Sequence, residues 1–107
     1  MLILLDENMP HRLRRMLSGH EVRTTAYQGW AGLTNGALLK AADQAGFEAV
    51  ITADQGIRYQ QNRSNYRFAL IVLSSNKEAV ITASVDLIFA ALDVATPCAI
   101  VVLNLDK

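Results

Sequence analysis

The chain reads as a three-layer α/β/α domain on a mostly parallel sheet of roughly five strands. Three observations lead there. Short apolar runs of about four to six residues recur along the 107 residues, and runs of that length bounded by polar or turn residues are how strands buried on both faces look. Segments with apolar residues at helical spacing separate most of these runs, so strand and helix alternate. Hydrophobic residues make up 51% of the chain, the opposite of a disordered composition and enough for one compact interior.

The elements follow in order. Leu2–Leu5 is the first strand. Pro10 suits a helix start, where its missing N–H costs nothing. Leu13, Met16 and Leu17 give that helix one apolar stripe, with Arg12, Arg14 and Arg15 facing solvent, and Gly19 closes it. Residues 21–25 form a weaker second strand, and residues 26–36, with three glycines and Trp30, form a loop. Trp30 is either a local plug for the core or an anchor for a partner. Helix two runs from Asn35 or Gly36 to Ala45, burying Leu38, Leu39, Ala42 and Ala45, and Gly46 stops it. Ala49–Thr52 is strand three, and the polar residues 55–65 hold at most a short helix.

Residues 68–73 form strand four. Ser75 and Glu78 match a capping box, in which hydroxyl and carboxylate each satisfy a free backbone N–H. The helix opened there carries Val80, Ile81, Ser84, Val85, Ile88, Phe89 and Leu92 on one side. Pro97 ends the connection, and residues 98–103 form strand five, opened by Cys98 as a small core residue. Such a sheet is expected to have helices on both faces, right-handed crossovers and its working site beyond the carboxyl ends of the strands.

Composition excludes several classes. Ten basic and ten acidic residues cancel, so no global field draws the chain to nucleic acid or to an anionic membrane. No apolar run approaches the roughly 20 residues that span a bilayer. The apolar opening lacks a basic leader and meets Asp6 at once, so it reads as a strand rather than a signal sequence. A single Cys98 allows no internal disulfide, which favours a reducing cytoplasm. His11 and His20 lack a spacing that suggests ligation.

Chemistry concentrates at two strand ends. The first strand delivers Asp6, Glu7 and Asn8, and the third delivers Asp54, 48 residues after Asp6. If these strands are parallel neighbours, both acids leave the sheet at one edge. Clustered carboxylates repel unless a cation is present, and Mg²⁺ takes one or two carboxylates while keeping several waters. The plainer reading is that each acid caps the segment after it. Arg12 and Arg15, and Arg58 and Arg63 in a stretch with Tyr59 and Tyr66, are candidates for phosphate or RNA contact, against the alternative of ordinary solvated surface. A looser pattern of Asp6-Glu7, Asp54, Ser74 and Lys107 is that of a phospho-accepting receiver, but only about 14 residues separate Asp54 from the next strand, few for a crossover helix.

The segment Leu4-Leu5-Asp6-Glu7-Asn8-Met9-Pro10 followed by Arg12-Leu13, then Gly19-His20-Glu21-Val22, Gly32-Leu33 and Val50-Ile51-Thr52-Ala53-Asp54-Gln55-Gly56, resembles in order and spacing the short bacterial PIN-like proteins described as VapC-like toxin components. The resemblance covers about residues 2–57. It implies a PIN-like fold, an acidic Mg²⁺ or Mn²⁺ site, endoribonuclease chemistry on an RNA substrate and an antitoxin protein as partner; a homodimer stays open. It places Asp6, Asp54 and Glu7 as catalytic acids, Asp6, Asp54 and Asn35 about the cation, and Asn8 and Pro10 in the flanking motif. Asn35 stands where the family usually has an aspartate, which removes one charge and keeps a non-catalytic PIN-like binding module as the second reading.

Overall fold

The structure, a computed structural model, describes residues 1–59 and 66–105, with the side chains at 58 and 59 outside that description. Its elements are β1 (Leu2–Leu5), α1 (Leu13–Met16), β2 (Glu21–Thr24), α2 (Thr25–Gln28), α3 (Asn35–Gln44), β3 (Ala49–Thr52), a 3-10 turn (Gln55–Tyr59), β4 (Ala69–Leu73), α4 (Glu78–Ala83), α5 (Val85–Val94) and β5 (Ile100–Leu103). Five strands form one sheet in the order β2-β1-β3-β4-β5, and every neighbouring pair is parallel. The expected class, a three-layer α/β/α domain on a five-stranded sheet, is the observed one.

Alternation along each strand divides the core. Ile3 and Leu5 of β1, Ala49 and Ile51 of β3, and Ile71 and Leu73 of β4 face α1, α4 and α5. Leu4, Val50, Leu70 and Val72 face α3, Phe47, Phe68 and Ile57 of the 3-10 turn. β3 and β4 are buried at every position, as expected for parallel strands covered on both faces. Each Leu or Ile removed from water there contributes about 1.5–3 kcal/mol. Trp30 packs into the second of these clusters, edge-on to Phe47 with ring centroids 5.9 Å apart, so it is the core plug.

Helix placement departs from expectation in one respect. β2 to β3 and β4 to β5 step in the same direction along the sheet. The first crosses through α3 on one face, and the second through α4 and α5 on the other. Two such crossovers have opposite hands, so they cannot both obey the right-handed rule. The β1–α1–β2 step goes the other way over the α1 face and so shares the hand of the α3 crossover, which leaves the α4–α5 return as the exception. Its consequence is visible on β5. Val101 and Leu103 pack under the helices, while Ile100 and Val102, on the α3 side, stay 37% and 46% exposed.

Local corrections have local causes. α1 begins at Leu13, not Pro10, because the preceding residues make tighter bonds, Leu13 N to Pro10 O and Arg14 N to His11 O, both 3.1 Å. Within the expected loop 26–36, α2 forms because Thr24 Oγ1 accepts from Tyr27 N at 3.1 Å and caps it. The long amphipathic helix is broken at Ser84 into α4 and α5. No capping box forms: Ser75 Oγ accepts from Lys77 N, and Glu78 pairs with Arg12 instead. Ala45 is exposed, just past the last turn of α3. Cys98 is exposed too, at φ 69°, with Sγ donating to Tyr66 O; it is no core residue. Among the described residues, no helix is long and apolar enough to cross a membrane.

Candidate functional site at the carboxyl edge of the sheet

β1 lies between β2 and β3, so the chain reverses its direction across the sheet beside it. Crevices of that kind, beyond the carboxyl ends of the strands, are where open α/β sheets place ligands. The register pairs Leu5 with Ile51, and Asp6 N donates to Ile51 O at 3.0 Å. The ladder therefore carries Asp6 one residue past β1 and sets it beside Thr52.

Thr52 joins the two acids. Its side chain is fully buried, its hydroxyl donates to Asp6 Oδ2 at 2.7 Å, and the same oxygen accepts from Asp54 N at 3.0 Å. Asp6 is itself buried, and its Oδ1 accepts from Glu7 N at 2.8 Å. Asp54, half-buried, accepts from Gly56 N on Oδ1 at 2.9 Å, a turn that starts the 3-10 segment and seats Ile57 in the core. Gly56 suits this place, since an added Cβ would sit 3.3 Å from Asp54 Oδ1.

α3 supplies the third member. Thr34, not Asn35, caps the helix, with Oγ1 accepting from Ala37 N at 3.3 Å. Asn35 is thereby free to reach Asp54, and its Nδ2 donates to Asp54 Oδ2 at 2.9 Å. An ionised carboxylate only accepts, so the near atom has to be the amide nitrogen.

The remaining candidates lie around this group. Glu7 is exposed, and its Oε1 accepts from Gly32 N at 3.0 Å, tying the glycine loop to the end of β1. Asn8 accepts on its carbonyl from Asn76 Nδ2 at 3.3 Å, and the Pro10 carbonyl serves the turn into α1. Arg12 is held by Glu78 at 3.1 Å, while Arg15 is exposed. Arg58 lies in the 3-10 turn with its side chain outside the description; Arg63 and Lys107 lie outside the described residues altogether.

Asp6, Asp54, Asn35 and Thr52 are thus brought together, and Thr52 is the member sequence reasoning passed over. Its signal was a lone hydroxyl ending an otherwise apolar strand beside two acids. A valine at 52 keeps the shape but orphans Asp54 N and removes the donor to Asp6. Thr52→Val is expected to cost about 1–3 kcal/mol, read as a lower urea midpoint, with Thr52→Ser recovering most of it. An unchanged midpoint in the valine variant would show that this chain of bonds does not hold the edge.

For a divalent cation the donor set is two carboxylates and one amide. Among the described residues, no group of three or more His, Cys, Asp or Glu side chains is placed to hold a metal ion. Two carboxylates meet the minimum that Mg²⁺ accepts with water, and oxygen donors suit Mn²⁺ equally. Among the described residues each carboxylate oxygen here accepts a single bond, which leaves a further lone pair toward an ion. Asn35 would have to turn its amide over to offer oxygen.

Compared with protein-family models, with curated proteins and with solved structures, the chain has no significant match.

Proposed function

We propose that the chain is a PIN-like, Mg²⁺- or Mn²⁺-dependent endoribonuclease, the cytoplasmic toxin component of a toxin–antitoxin pair. The observation that carries this reading is the meeting of Asp6 and Asp54 across β1 and β3 through Thr52. The motifs over residues 2–57 support it. When bound, the cation would polarise a phosphodiester and activate water. Asp6 and Asp54 would hold it, and Thr52 keeps the Asp6 carboxylate oriented. RNA is the substrate on this reading, and an antitoxin protein the partner.

A second reading, a PIN-like binding module without cleavage, is favoured by the Asn35 amide, which already satisfies Asp54 without a cation. One assay separates the two. Mixed RNA is incubated with the protein across a Mn²⁺ series, with Asp54→Asn as the control. Metal-dependent cleavage lost in the variant supports the nuclease; RNA left intact at every Mn²⁺ concentration supports the binding module.

A further inference from the structure

One strand along from the acidic pair, at the same carboxyl edge, lies a hollow of about 440 Å³ lined by Asn8, Ala53, Ser74, Ser75, Asn76 and Lys77. Three strand ends build it. Asn8 follows Asp6 by two positions, Ala53 precedes Asp54, and residues 74–77 follow β4. Asn76 closes it by donating to Asn8 O at 3.3 Å.

The lining is rich in donors, and among the described residues it holds no carboxylate. Ser74 Oγ accepts from Leu105 N at 2.7 Å, and Ser75 Oγ accepts from Lys77 N at 3.1 Å. Both hydroxyls are half-buried and act here as acceptors, so each keeps its own proton to give. Among the described residues Lys77 has no carboxylate within ion-pair distance. The acid next to it, Glu78, is held by Arg12. Two serine hydroxyls with protons to give, and a lysine that has no ion-pair partner among the described residues, line a hollow of ligand size, a set that suits an anion with several acceptor oxygens.

We propose that this hollow binds a phosphate group of a nucleic-acid strand, next to the bond presented to Asp6 and Asp54. The proposal rests on the ribonuclease reading of that pair, and it gives the strand a direction of approach over β3 and β4. It assigns Lys77 and Ser75 as substrate-binding residues.

The test uses a fluorescent 2′-O-methyl RNA oligonucleotide, which cannot be cleaved, in EDTA, with affinity read by anisotropy over a salt series. Lys77→Ala is expected to weaken binding about tenfold and to lower the slope of log K against log salt by about 0.7, the loss of one phosphate contact on a single strand. Ser75→Ala should weaken it less. Lys40→Ala, which removes an exposed cation on α3, should leave affinity unchanged. Equal effects at Lys40 and Lys77, or none at Lys77, would overturn the proposal. Inorganic phosphate is titrated separately: Lys77-dependent binding of phosphate without binding of the oligonucleotide would overturn the assignment to a strand. Because no metal or cleavage enters, this result is independent of the nuclease assay. Cleavage that survives Asp54→Asn would remove the reading of the acidic pair, whereas unchanged binding in Lys77→Ala removes the hollow whatever the cleavage result.

Discussion

Asn35→Asp is expected to tighten Mn²⁺ binding about tenfold or more and, without the ion, to destabilise the protein by about 1–3 kcal/mol. Both effects come from one contact, the Asn35 Nδ2 to Asp54 Oδ2 bond of 2.9 Å. An aspartate there loses that bond and sets two carboxylates against each other. With a cation present the same pair becomes attractive, as a third oxygen ligand of full charge. Stability should therefore fall in EDTA and recover in Mn²⁺, because an ion that binds only the folded state stabilises it. Urea midpoints with and without Mn²⁺ measure both. If the variant matches the parent in each condition, Asn35 and Asp54 do not form part of a cation site.

Asp54→Asn is expected to lower metal-dependent RNA cleavage by more than about 100-fold while barely moving the urea midpoint. The cleavage loss should exceed what outer-shell partners of a metal usually cost, about 10–100-fold. The stability follows from the hydrogen bonds. An amide oxygen at 54 still accepts from Gly56 N, and the Asn35 amide can turn over to accept from the new NH₂. Asp6→Asn should lose as much activity and some stability, since Asp6 is buried and accepts a hydrogen bond from the Thr52 hydroxyl. Activity and fold are thus separable at Asp54, and only partly so at Asp6. Retained cleavage in a folded Asp54→Asn protein would place the chemistry elsewhere.

Much of this edge was legible in the sequence. Apolar runs at 2–5 and 49–52 mark strands buried on both faces, and each ends in an acid. Their adjacency follows once the sheet is parallel. Leu38, Leu39 and Ala42 were legible as the buried stripe of α3, and Gly46, at φ 82°, as its stop. What was not legible depends on tertiary choice. The apolar stripe of α4 and α5 says that one side is covered, not which face of the sheet it covers, so neither the odd crossover nor the bare side of β5 shows in periodicity. The Ser75–Glu78 pattern fits a capping box locally, but Arg12, just before α1, claims the glutamate. Thr24 and Thr34 outbid nearby residues as caps because the bends after β2 and before α3 set their hydroxyls at the free N–H groups. Asn35 could be read as a substituted acid; that its amide donates to Asp54 needed the fold.

The most direct measurement is a calorimetric titration of Mn²⁺ into the purified protein and its Asp54→Asn variant, each checked for folding by circular dichroism. The expected result is one saturable site in the parent and none in the folded variant. Saturable binding that is equal in both, or no binding in the parent, would contradict the assignment of Asp6 and Asp54 as a cation site.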